Sequence, residues 1–192
     1  MSHYALSSVG TNPLSLAFVK SSLKITTTAD DAFLTMLMSA VLFFGERYTG
    51  RDFRNNSWTT LHDEFSDRIV LRKTQLRDIT SVRYWNQDTV SAQILVDSSV
   101  YYAKVEYGWG ELVLKTDQEW PTDVDDREAE HRIEIIFRTL VSNEHIDAMK
   151  QAMIMHITYL YQNRGDCCEA DAESVRASGA YLLYDQFRIA RI

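Results

Sequence analysis

The chain has 192 residues, 45% of them hydrophobic, enough to bury the core of one domain or of one domain carrying an insertion, which excludes a disordered chain. Two prolines and seven glycines, against ten tyrosines, eight phenylalanines and four tryptophans, describe ordered structure rich in contact-forming aromatics. A formal charge of −7 excludes nonspecific nucleic-acid binding, which needs clustered lysine and arginine; the acidity serves solubility, or suits a channel that DNA slides through without sticking.

Met1 to Gly10 shows no cationic start followed by an apolar run, so no secretory signal is expected. Pro13 and Ser15 precede Leu16, Phe18, Val19, Leu23 and Ile25, the pattern of a short amphipathic helix. A polar turn, Thr26 to Thr28, follows. Asp30 and Asp31 supply N-terminal charge to a second helix of about five turns that stops at Gly50. Phe33, Leu34, Leu37, Val41, Phe44 and Tyr48 follow the helical period, while Met36, Met38, Leu42 and Phe43 fill much of the opposite face. A helix apolar almost all round needs cover on several sides, from the inserted domain or from a neighbouring subunit. Met36, Met38, Leu42 and Phe43 are therefore expected at a subunit interface. The stretch from Ala32 to Phe44 is too short to span a bilayer, so a soluble cytoplasmic product without a membrane partner is expected.

From Ser57 to Phe137 the signal turns to short β-like runs: Trp58 to Leu61, Ile69 to Leu71, Ile79 to Trp85, Ala92 to Val96, Val100 to Tyr107, Leu112 to Leu114 and Ile133 to Phe137. Their spacing predicts an antiparallel sheet or small barrel. An acidic loop holds Asp117, Glu119, Asp123, Asp125, Asp126, Glu128 and Glu130, interrupted by Arg127. Helical period returns at Ile146, Met149, Met153, Ile157 and Leu160 and ends at Gly165. The polar stretch to Ser178 and the apolar Tyr181, Leu182, Leu183, Tyr184, Phe187, Ile189 and Ile192 read as an arm that leaves the body. Tyr181, Leu182, Tyr184, Phe187 and Ile189 are its expected anchors on a partner, with packing onto the same subunit the alternative. The predicted class is α+β, with an N-terminal helical part (1–56), a β-rich insertion (57–143), a C-terminal core helix (144–164) and a C-terminal arm (165–192).

Catalytic chemistry is hard to find. There is no nucleophile elbow, phosphate loop or metalloprotease helix motif. Gly108, Trp109 and Gly110 begin like a dinucleotide fingerprint but lack the third glycine and the helix, so a hairpin turn is expected. Of His3, His62, His131, His145 and His156, only the last two share a predicted helix, three turns apart, too far to grip one ion. His62, Asp63 and Glu64 are adjacent on a strand, where neighbours point to opposite faces. Asp123, Asp125 and Asp126 lack the spacing of a calcium loop and read as a solvated loop. Tyr84, Trp85, Tyr101, Tyr102, Tyr107, Trp109 and Trp120 lie in an acidic segment with few basic residues, which suits core and contact roles over base stacking. Cys167 and Cys168 are the only cysteines, neighbours in sequence, and read as reduced thiols without a structural role. No catalytic residue, cofactor or metal is expected.

One constellation is more specific. Lys20 and Leu23 precede a polar turn and the pair Asp30 and Asp31; a long helix then ends in Tyr48, Thr49, Gly50 and Arg51. Trp58, Ile69, Leu71, Ile79, Val82 and Tyr84 follow in order, then Trp120 with Pro121, and Lys150, Ala152 and Ile154 lead to Tyr161, Asn163 and Arg164. Across roughly residues 14 to 164 this resembles the head-to-tail connector (adaptor) family of tailed bacteriophages and related particles. Lys73 and Thr74 depart from its usual proline turn, Arg138 to Leu140 replace a glycine-aromatic element, and no proline precedes the final helix.

The resemblance implies a non-enzymatic structural protein of the virion neck, made in the host cytoplasm. It implies a homo-oligomeric ring, commonly of twelve copies, between the portal protein and a tail or stopper protein, with genomic DNA passing through the lumen. A stopper or tail completion protein is the nearest alternative. A small metal-dependent hydrolase or nuclease using His62, Asp63 or the acidic loop is the alternative from another class.

Overall fold

The computed structural model describes residues 3–87, 92–106, 109–125, 132–139, 143–164 and 170–189. Gly108, Tyr107, Asp126, Arg127, Glu128, Glu130, His131, Leu140, Gly165, Cys167, Cys168 and Ile192 lie outside them. The chain is α+β, with helices and antiparallel sheets in two compact units. One comprises Met1–Gly10 and Asn55–Leu140, the other Thr11–Arg54 and Val141–Ile192.

Among the described residues the first unit holds eight strands: β1 (His3–Ser8), β2 (Asn56–His62), β3 (Arg68–Thr74), β4 (Leu76–Tyr84), β5 (Ile94–Leu95), β6 (Tyr101–Glu106), β7 (Trp109–Leu114) and β8 (Ile133–Thr139). They form a five-stranded sheet in the order β1-β2-β8-β4-β5 and a three-stranded sheet in the order β3-β7-β6. Alternation along β8 puts Ile133, Ile135 and Phe137 into a core shared with Ile69, Leu71, Val82, Tyr84, Tyr101 and Leu112. Register shifts in β1, β3 and β4 bend the strands around that core. The β3–β4 turn is made by Gln75 at φ 63°, directly after Lys73 and Thr74, which stand in place of the family's usual proline turn. The glycine at 110 is demanded by packing, because a Cβ there would stand 2.6 Å from the Leu76 Cβ.

The N-terminal residues correct the expected boundary, since residues 1 to 10 belong to this unit and not to the helical part. Tyr4, Ala5 and Leu6 pair with Thr60, Thr59 and Trp58 of β2. So short and mixed a run carries no readable period; the partner edge of β2 makes it a strand.

The second unit holds α1 (Leu16–Leu23), α2 (Asp31–Thr49), α3 (Asn143–Gln162), α4 (Ala172–Ala177) and α5 (Tyr181–Gln186). The Ser15 hydroxyl caps α1 by accepting from the Phe18 N–H, and Gly50 ends α2 at φ 73°, in the left-handed region glycine favours. Leu34, Leu37, Val41, Met149, Met153, Ile157 and Leu160 form the contact between α2 and α3. The α2–α3 pair is the core of this unit.

Candidate assembly surfaces

Several residues of the connector-like constellation in the helical unit bind one another. Lys20 of α1 donates to Asp31 at 2.6 Å, and Asp30 accepts from the Tyr161 hydroxyl at 2.6 Å and from Arg164 at 3.3 Å. The aspartate pair thus links α1, the start of α2 and the end of α3. Asp30 makes no side-chain cap for α2; its carboxylate is used across helices. At the other end of α2, Tyr48 donates to Asp185 at 2.7 Å, Arg51 donates to the Phe187 carbonyl at 2.5 Å, and the Ile189 N–H donates to the Thr49 carbonyl at 3.0 Å. These contacts hold helices together.

That network overturns the expected arm for the described part of the tail. Asp171 caps α4 with a capping box, and Val175, Ala180 and Tyr184 are buried in the α2–α3 core. Tyr184 is 0% exposed, so it anchors the tail to its own subunit. Tyr181, Phe187 and Ile189 are half-buried against the same unit, and Phe187 lies 4.9 Å from the His145 ring. Leu182 alone of the five expected anchors projects outward, at 59% exposure. The sequence hid this because two six-residue helices are too short to show a period, and the described part of the polar stretch is the capping box plus the outer face of α4.

The four apolar residues expected at an interface divide in two. Met38 and Leu42 are buried in the unit's own core, whereas Met36 and Phe43 are 53% and 59% exposed. The 3.6-residue period explains the split, because Met36 and Phe43 lie opposite the Leu34, Leu37, Val41 stripe. Ala32, Thr35, Ser39 and Arg47 complete that outer stripe. The Thr35 and Ser39 hydroxyls donate back to the carbonyls of Asp31 and Thr35, and Arg47 lies over the Phe43 ring at 5.5 Å. With its hydroxyls so engaged, the stripe offers an apolar contact surface with one cation at its end.

Several of the polar groups considered for chemistry have structural partners. His62 lies within 3.2 Å of the Thr60 hydroxyl, and burial lowers its pKa. His156 is fully buried on α3 and reaches the Ser174 hydroxyl at 2.8 Å; burial pushes its pKa down to about 4. In the acidic loop, Asp123 accepts from Tyr84 at 3.0 Å and from Asn86, and the Asp125 N–H donates to the Trp85 carbonyl. Asp125 is buried, so this part of the loop is stitched to the sheet and not solvated as expected. Trp120 stacks on Phe65 at 4.6 Å and belongs to the packing of the β unit. Among the described residues no group of three or more His, Cys, Asp or Glu could hold a metal, and no helix is long and apolar enough to cross a membrane.

No protein-family model and no curated protein sequence matches this chain. Its fold does match solved structures over almost the full length. A chain in a structure described as "Neck of empty GTA particle computed with C6 symmetry" superposes with a TM-score of 0.70 at 16% identity, covering 99% of this chain and 97% of that one. Chains in "Virion of native gene transfer agent (GTA) particle" and "Neck of native GTA particle computed with C12 symmetry" match with TM-scores of 0.65 and 0.59, each at 16% identity and 98% of this chain.

Proposed function

We propose that this chain is a non-enzymatic structural subunit of a virion neck, an adaptor that assembles as a ring between the portal and the tail or stopper. The observation that carries the reading is the full-length match of both units, with no large unmatched part on either side, to chains of phage-like neck assemblies with six- and twelve-fold symmetry. Twelve copies is the expected ring. The internal use of the aspartate pair and of Tyr48 to Arg51 supports the same reading, because those residues organise a scaffold.

In this reading the exposed stripe of α2, with Met36 and Phe43, lies between copies, and Leu182 of α5 docks on the portal or on a neighbouring copy. A ring gives every subunit two different buried faces, which accounts for large apolar side chains left outward on an otherwise well-buried helix. The formal charge of −7 suits a lumen through which DNA passes without specific contact.

Native mass spectrometry of the purified full-length chain tests the assembly. The expected result is one closed oligomer whose multiplicity is a multiple of six. A chain that stays monomeric at every concentration would refute the ring.

A further inference from the structure

The α2–α3 pair has two outward faces on opposite sides. Each helix buries one stripe against the other, Leu34, Leu37 and Val41 on α2 and Met149, Met153 and Ile157 on α3, so their outer stripes point away from each other. The α2 face carries knobs, Met36 and Phe43, with Arg47 at its C-terminal end. The α3 face is recessed. Ile154, Met155, Thr158 and Gln151, with Ala177 of α4, line a shallow hollow of about 360 Å³. At the N-terminal end of that face stands Asp147, 86% exposed and only loosely held by Lys150 at 3.6 Å.

The two faces match in antiparallel register. From Arg47 back to Met36 is about three helical turns, and so is the step from Asp147 forward to Thr158. Placing Arg47 opposite Asp147 sets Phe43 opposite Gln151, Ser39 opposite Met155 and Met36 opposite Thr158. Phe43 then meets the Gln151 end of the recess and Met36 the Thr158 end, and the cation at the end of one stripe meets the anion at the end of the other.

We propose that the outer face of α2 in one copy packs antiparallel on the outer face of α3 in the next, with Phe43 seated at the Gln151 end of the α3–α4 hollow and Arg47 paired with Asp147. This rests on the ring reading above and specifies its interface. The occupant is a second copy because knob and hollow, cation and anion, lie on opposite sides of the same unit. Such a pair repeats head to tail, and a fixed rotation per step closes it into a ring. A partner of different sequence has no reason to match both faces in one register.

Charge reversal tests the pairing with the full chain, by sedimentation velocity over a concentration series. Arg47→Asp and Asp147→Arg should each weaken self-association about tenfold or more, and the double variant should return to within about threefold of wild type. Single variants that assemble like wild type, or a double variant no better than either single, would overturn the proposal. Circular dichroism melts check that each variant is folded. Should a charge reversal unfold the helical unit, Phe43→Ala removes only an exposed ring; it should weaken association, and wild-type assembly would overturn the seat in the hollow. A wild-type chain that fails to associate sinks the ring reading itself, whereas an associating wild type with indifferent variants sinks only this interface.

Discussion

The Tyr48 hydroxyl donates to the Asp185 carboxylate at 2.7 Å, joining the last turn of α2 to α5 from opposite ends of the chain. Around that bond, Arg51, Thr49 and Gly50 receive Phe187 and Ile189, so the tail closes the helical unit. Deleting residues 171 to 192 is therefore expected to unfold that unit. Removing the buried Tyr184 alone costs about 3–5 kcal/mol, a large part of a domain's usual stability. Thermal melts followed by circular dichroism should show loss of the cooperative helical transition. A truncated chain that melts like the full one would show the tail to be dispensable.

Tyr184 is fully buried, yet its hydroxyl has no hydrogen-bond partner among the described residues, and burial holds its pKa high. An unpartnered buried hydroxyl is a standing desolvation cost, so Tyr184→Phe should be neutral or stabilising by about 1 kcal/mol. Urea denaturation gives the sign. Destabilisation beyond experimental error would mean that the hydroxyl is bonded.

Gly45 lets α2 approach the Phe53 ring, which stacks on Tyr184. A Cβ at position 45 would stand 2.6 Å from Phe53 Cε2, and Phe53 is itself buried with nowhere to move. Gly45→Ala should thus destabilise by about 1–3 kcal/mol, although alanine favours a helix. A higher melting temperature would contradict the packing described.

His156 makes the helical unit acid-sensitive. The Ser174 hydroxyl donates to the Asp171 carbonyl at 3.1 Å and accepts from the Asp171 N–H at 3.0 Å, leaving a lone pair to accept from His156 Nε2 at 2.8 Å. Burial disfavours the charged ring, whose Nδ1 is buried and unbonded among the described residues. Its folded pKa, about 4, lies below the unfolded value of 6.5. The stabilisation is complete above pH 6.5 and lost as pH falls from 6.5 to 4, by about 3 kcal/mol in all. Unfolding free energies measured across that range should flatten in His156→Gln. An identical slope in both proteins would assign the acid sensitivity elsewhere.

The exposed and buried halves of α2 should respond differently to charge. Met36→Asp and Phe43→Asp place a carboxylate on an exposed surface, within about 0.5 kcal/mol of wild-type stability, and should block assembly. Met38→Asp buries an unpaired charge and should unfold the unit. Normal assembly by both surface variants would remove α2 from the interface.

The long helices and the order of the strands were legible because their periods run over many residues: Leu34 to Tyr48 on α2, Ile146 to Leu160 on α3, and the alternation of Ile133, Ile135 and Phe137 on β8. The pattern also placed the second helix against more than one surface. It could not separate Met36 and Phe43 from Met38 and Leu42, since which part of an all-apolar helix is outermost depends on how much of it α3 and α5 cover. Strand β1 and helices α4 and α5 were missed because each is six residues long and set by tertiary partners. The binding of Asp30 to Tyr161 and Arg164 was hidden for a different reason: an aspartate at a helix start reads as a cap, and its cross-helix partners lie more than a hundred residues away.

The most direct test of the neck assignment is single-particle cryo-electron microscopy of particles that contain this chain, with the portal vertex reconstructed without imposed symmetry. The account predicts density for this fold in a closed ring immediately below the portal, with helix α2 of each copy against helix α3 of the next. Finding the chain elsewhere in the particle, or a neck ring built entirely of other proteins, would contradict it.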